Sequence, residues 1–163
     1  MLNRFTSRAR WVVVLATEEA RRRGHESVGP EHLLMAILRD SDGMAVKVLE
    51  RLQAPPETLR AAVERLLSEE PGSSTGSEPA FSPELKAVLQ ASIEAQLHPN
   101  LVGTEILLLG LLTYEGSQAN RLLRAAGVDL NGALRMTSLF YDSMPVTEGV
   151  TRLIATSKWR VQM

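Results

Sequence analysis

Apolar positions between Phe5 and Ala20 fall on one helical stripe. Phe5, Ala9, Val12, Val13, Ala16 and Ala20 recur at the three- and four-residue spacing of a buried face, while Arg10, Glu18, Arg21 and Arg22 take the opposite side. Gly29-Pro30 predicts the start of a second helix, because proline suits the first helical position, and Leu33, Leu34, Ile37 and Leu38 supply its apolar face. Ser41-Asp42-Gly43 predicts a break. A third helix follows with Ala45, Val48, Leu49 and Leu52, and Pro55-Pro56 predicts its end, since a residue before proline is steered away from helical angles. Leu59, Ala62, Val63, Leu66 and Leu67 mark a fourth. Two-residue alternation is sustained nowhere, so the pattern predicts an all-α chain.

The same pattern is then written a second time. Phe5-Thr6-Ser7-Arg8 is echoed by Phe81-Ser82-Pro83-Glu84, and Val12-Val13 by Val88-Leu89, at a separation of 76. From Val28-Gly29-Pro30-Glu31-His32-Leu33-Leu34, matched by Val102-Gly103-Thr104-Glu105-Ile106-Leu107-Leu108, the separation is 74. That register holds through Ile37-Leu38 with Leu111-Leu112, Ala45 with Ala119, and Val48-Leu49 with Leu122-Leu123. Ser82-Pro83 reads as an N-cap followed by proline, Gly127 as the end of the third helix of this copy, and Asp129 or Asn131 as the cap of the last. A repeat of this kind closes a core only when its copies stack on each other.

Turn formers separate the copies. The stretch 69–80, with Pro71-Gly72-Ser73-Ser74-Thr75-Gly76-Ser77, is predicted to be a flexible linker between a first copy at 1–68 and a second at 81–141. Residues 142–163 match nothing in the first copy; Val150, Leu153, Ile154 and Trp159 there fit either a helical turn or a strand.

Composition narrows the function by exclusion. A net charge of −1, 44% apolar and 23% charged residues give no bulk reason to expect a nucleic-acid or membrane partner. No apolar run approaches the ~20 residues of a membrane span, and the stretch from Trp11 to Ala16 is too short and too flanked by charge for a secretory signal. The absence of cysteine excludes disulfides, thiolate metal sites and a cysteine nucleophile, and a cytoplasmic location is expected.

Candidate chemistry is sparse. His25, His32 and His98 lack metal-ligand spacing, and Glu31-His32 is no zinc-hydrolase motif. Arg21-Arg22-Arg23, with Arg4, Arg8 and Arg10, is diluted by Glu18, Glu19 and Glu26 and reads as a solvated helix face. Gly72-Ser73-Ser74-Thr75-Gly76 lacks the lysine of a nucleotide-binding loop, so ATP hydrolysis is not expected, and no nucleophile–base signature points to another enzyme activity. No cofactor is expected.

Arg4-Phe5-Thr6-Ser7-Arg8-Ala9, Glu18-Glu19-Ala20, Gly24-His25, Val28-Gly29-Pro30-Glu31-His32-Leu33-Leu34 and Val102-Gly103-Thr104-Glu105 resemble the signatures of the Clp unfoldase N-terminal repeat domain, most nearly its ClpC-like form. The resemblance runs from about Asn3 to Phe140. It implies an eight-helix, pseudo-twofold domain of two four-helix units, here expected as a stand-alone, monomeric, non-catalytic protein-binding module. Its expected partners are Clp unfoldase or protease components, adaptors or protein substrates, through which it would modulate regulated proteolysis. The resemblance also implies two pockets that read arginine-phosphorylated proteins, made here by Thr6 with Glu31 and by Ser82 with Glu105. Carboxylates would pair with the guanidinium while hydroxyls and helix N-terminal amides accept the phosphate. Pro30, where the usual residue is threonine, and the shortened loop at His98-Pro99-Asn100 depart from the family pattern. The alternative expectation is a structural or regulatory domain whose C-terminal tail carries the function.

Overall fold

The structure is a computed structural model that describes residues 2–73, 76–95 and 101–140. Eight α-helices build it: α1 (Ser7–Arg22), α2 (Pro30–Arg39), α3 (Met44–Arg51), α4 (Pro56–Glu69), α5 (Pro83–Glu94), α6 (Thr104–Thr113), α7 (Gln118–Ala125) and α8 (Leu130–Phe140). They fall four to a copy, the all-α architecture that the repeat implies. Two short extended pieces join them, β1 (Ser27–Val28) and β2 (Ala80–Phe81), which pair in parallel.

Helix starts follow side-chain chemistry. Thr6, Ser82 and Ser117 cap α1, α5 and α7 by accepting hydrogen bonds from the backbone N–H groups of Ala9, Leu85 and Asn120 at 3.0 Å each. Such caps contribute about 1 kcal/mol apiece. Asp129 caps α8 through Gly132, 2.7 Å away, which decides between the two candidates the sequence offered.

Two expectations are corrected. Phe5 precedes α1 rather than opening it, and is buried by pairing with Val102. Pro55 and Pro56 do not end the third helix. α3 stops at Arg51, and the chain reverses at Gln53, whose φ of 60° is left-handed; Pro56 instead occupies the first position of α4. The equivalent of Gln53 in the second copy is Gly127, with φ 85°. Backbone bonds close both turns alike: Ala54 N–H donates to Leu49 at 3.0 Å, and Val128 N–H to Leu123 at 2.9 Å.

The copies share one core, in which Ala9, Val13, Leu34 and Leu49 of the first belong to the same cluster as Leu85, Leu89, Leu108 and Leu123 of the second. Packing is reciprocal: α3 lies on α6 and α7 on α2, while α4 meets α7 and α8 meets α3. This exchange makes α2 and α6 central. The sequence assigned α2 one buried face, but eight of its ten residues are buried, as are nine of ten in α6, because each is sandwiched between its own copy and the other. At Gly110 a methyl group would lie 2.9 Å from the carbonyl of Val88, so glycine is what lets α5 and α6 approach. The stretch 69–80 begins with the last residue of α4 and ends in β2, and Ser73 N–H donates to Gly24 at 3.0 Å. The tail 142–163, His98 and the loop 98–100 lie outside the described residues.

Candidate functional site

Two hydrogen-bonded crossings decide which side chains meet. Ser82 N–H donates to the carbonyl of Val28 at 2.9 Å, continuing the β1–β2 pair. At the pseudo-equivalent place Thr6 N–H donates to Val102 at 3.0 Å and Val102 N–H donates to Arg4 at 2.8 Å. Both crossings join one copy to the other. The grouping of Thr6 with Glu31 and of Ser82 with Glu105 is therefore corrected. Ser82 stands beside the start of α2 with Glu31, and Thr6 beside the start of α6, where Glu105 lies.

Glu31 and Ser82 line a cavity of about 510 Å³. Leu66 and Leu67 of α4 give it an apolar wall, and Glu69, Glu70 and Glu84 ring it with further carboxylates; among the described residues no lysine or arginine lines it. Burial raises the pKa of Glu31, and the charges of Glu70 and Glu84 push the same way. Backbone N–H groups of Glu31 itself and of Gln118 oppose that rise by hydrogen bonding to the carboxyl. Glu31 thus sits where the N-termini of α2 and α7 converge, a place where helix dipoles favour negative charge.

The second site is built differently. Glu105 is only 4% exposed, and its carboxylate folds back over Gly103, where a methyl group would come within 2.5 Å of both oxygens. Beside it the hydroxyl of Thr104 accepts a bond from Ala45 N–H at 3.2 Å, tying α6 to the start of α3. Pro30, the counterpart of Thr104, has no hydroxyl; the corresponding tie to α7 is made by Glu31. The substitution changes how the cavity is braced.

Sequence reasoning missed a buried histidine pair. His25 and His32 are 4% and 3% exposed, and Nδ1 of His25 lies 2.8 Å from Nε2 of His32. Gly29 N–H donates to Nδ1 of His32 at 2.9 Å, and Nε2 of His25 is 3.1 Å from the carbonyl oxygen of Glu70. Burial, together with His25 and Arg23, lowers the His32 pKa to about 4 against the opposing pull of Glu19. The signal was legible in part: His32 is the third residue of α2, the position from which a side chain reaches back to the N-cap amide.

Four arginines of the basic cluster are neutralised locally. Arg21 pairs with Glu18 and Glu78, Arg22 with Glu19, Arg23 with Glu19 and Glu64, and Arg8 with Asp40. Glu19, 3% exposed, also faces Arg39 at 3.4 Å. Burial alone would raise its pKa, but hydrogen bonds from Arg23 and Arg22 overcome that and hold it below the ordinary carboxylate value. Among the described residues no group of three or more ligating side chains is placed to hold a metal ion, and no helix is long and apolar enough to cross a membrane.

A repeat of four helices, packed reciprocally around α2 and α6 and carrying a cavity at the crossing, defines the class, an all-helical double-repeat domain. The family model for the Clp repeat (R) N-terminal domain matches residues 4–126, and the chain belongs to that family. It is 38% identical over 135 residues to the negative regulator of genetic competence ClpC/MecB of Bacillus subtilis, covering 82% of this chain and 16% of that one. To the chloroplastic chaperone protein ClpC1 of Oryza sativa it is 40% identical over 133 residues, 80% of this chain and 14% of the other. The chain thus spans about a sixth of the length of the curated relatives it matches. Among solved structures it resembles the N-terminal domain of the ClpD chaperone from Arabidopsis thaliana, with TM-score 0.62, 25% identity and coverage of 84% and 99% of the two chains. A ClpV N-domain in complex with a VipB peptide shares the fold, with TM-score 0.66, 18% identity and coverage of 88% and 91%.

Proposed function

We propose that this protein is a non-catalytic binding module that engages components, adaptors or protein substrates of a Clp unfoldase system in the cytoplasm, and so modulates regulated proteolysis. The observation that carries the reading is the cavity at the cross-copy junction. It pairs an apolar wall, suited to the stem of a long side chain, with a carboxylate, Glu31, suited to the guanidinium at its tip. The ClpV N-domain solved with a VipB peptide supports the general idea of peptide binding on this fold. Arginine-phosphorylated segments are the ligands proposed for the two sites, Glu31 with Ser82 and Glu105 with Thr6. The hydroxyls and nearby helix N-termini would receive the phosphate.

Calorimetry with phosphoarginine and phosphoserine tests this. Phosphoarginine should bind and phosphoserine should bind far more weakly, because it cannot use the carboxylates; Glu31→Ala and Glu105→Ala should each remove one site. Absence of phosphoarginine heat at millimolar ligand would sink the pocket assignment. A second reading comes from the charge of the lining. Glu69, Glu70 and Glu84 favour a guanidinium and oppose a phosphate, so arginine amide belongs in the same titration, and tighter binding of arginine amide at the Glu31 cavity decides for unmodified arginine side chains. A pull-down that recovers Clp ring subunits points to docking on the unfoldase, and one that recovers client proteins alone points to capture of ligands.

A further inference from the structure

The chain of bonds through His25 and His32 has a direction. Gly29 N–H is necessarily a donor, so Nδ1 of His32 accepts, and a neutral ring then carries its proton on Nε2. That proton points at Nδ1 of His25, which leaves the His25 proton on Nε2, directed at the carbonyl of Glu70. Every ring nitrogen is satisfied in this one neutral arrangement. An added proton on His32 breaks it, because it sets Nδ1–H against Gly29 N–H. Two donors then face each other beside a ring that is only 3% exposed.

The chain of bonds also joins two parts of the candidate cavity. Gly29 and His32 belong to its floor, and Glu70 to its rim. The rim segment is tied to the end of α1 at two points, Glu70 through His25 and Ser73 through Gly24, and Gly72 packs on the backbone of Arg23. We propose that His25 and His32 form a proton-sensitive latch that closes the Glu70–Ser73 segment onto the floor of the cavity while the His32 ring is neutral and releases it when that ring takes up a proton. This names a regulation of the site in the functional reading above and rests on that reading only for its effect on binding.

The charged groups around the pair are accounted for. Glu19 on α1 favours protonation of His32 and Arg23, just past the end of α1, disfavours it; Glu19 is itself engaged by Arg22, Arg23 and Arg39, and Arg23 also by Glu64 of α4. Glu31 on α2, Glu70 after α4, and Glu26, whose carboxylate accepts from Ser73, border the pair from the remaining sides. Burial outweighs these charges and holds His32 neutral down to about pH 4 in the closed state. The open state has the ordinary value near 6.5, so closure is at full strength above that pH and weakens as pH falls toward 4. Between pH 7.5 and pH 5 the ratio of closed to open should drop roughly 30-fold.

Amide hydrogen exchange in the full chain, corrected for intrinsic rates, reads the latch at Gly29 and Ser73. Their protection should fall roughly 30-fold from pH 7.5 to pH 5 in the wild type. It should stay nearly constant in His32→Gln, because glutamine at this position keeps the bond to the N-cap amide but does not titrate. His32→Asn, which does not titrate either, is the second variant should the first fold poorly. Unchanged wild-type protection, or the same fall in both variants, overturns the latch. Phosphoarginine titrated at both pH values reads the effect on the site: a larger loss of affinity in the wild type than in His32→Gln supports control of the cavity, and equal losses overturn it. Should phosphoarginine fail to bind at pH 7.5, the ligand assignment falls, while the exchange measurement still decides the latch.

Discussion

Glu31 and Ser82 come from different copies of the repeat yet line one cavity, because Ser82 N–H is bonded to the carbonyl of Val28 just ahead of α2. A ligand in that cavity would be held by both copies at once.

That arrangement predicts an energetic coupling. In phosphoarginine titrations, Glu31→Gln and Ser82→Ala should be non-additive, with an interaction energy of about 0.5–3 kcal/mol, whereas Ser82→Ala with Glu105→Gln should add. Ser82→Ala also removes the cap of α5, at a cost of about 1 kcal/mol in stability, so binding is measured where all variants remain folded. Coupling to Glu105 in place of Glu31 would restore the pairing that the family resemblance implied.

Gln53 holds the left-handed conformation that Gly127 holds in the second copy. A non-glycine residue there costs roughly 1–2 kcal/mol, part of which glycine returns as lost chain entropy. Gln53→Gly should therefore stabilise the protein by about 1 kcal/mol in urea denaturation, and Gly127→Gln should destabilise it by a similar amount.

Leu34 and Leu108 are equivalent by the repeat, and both are fully buried in the shared core. Replacing either with alanine should cost about 2–5 kcal/mol. A near-zero cost at either position would mean that the two central helices are not packed alike.

Glu19 supplies a pH-dependent share of stability. Its pKa is lowered in the folded protein, so its contribution is complete above the ordinary carboxylate range and is lost as pH falls through the lowered value. Glu19→Gln leaves Arg22, Arg23 and Arg39 without their shared carboxylate and, because those arginines are partly solvated, should cost about 1 kcal/mol at pH 7. The difference between wild type and variant should shrink in acid denaturation. A difference independent of pH would show that Glu19 acts through packing alone.

Much of this molecule was legible along the chain. Two copies at a fixed separation, four apolar stripes in each and scarce strand signals dictate eight helices, and the matched positions Leu34 and Leu108 dictate where the core lies. The cap at Ser82 was legible for the same reason, and Asp129 as one of two candidates, since a helix start is set by chemistry within a few residues. What local chemistry leaves open is which copy each edge pairs with. The segments around Phe5 and Phe81 are alike, as are those at Val28 and Val102, so spacing alone permits pairing within a copy or across copies. Reciprocal packing of α3 on α6 and α7 on α2 selects the crossed choice, which brings Ser82 to Glu31 and Thr6 to the start of α6. The same crossing buries α2 and α6 on nearly all sides. The histidine pair, finally, forms only because the chain turns at Gly24, with φ 70°, and folds His25 back under the first turn of α2, a proximity that no spacing rule for a continuous helix describes.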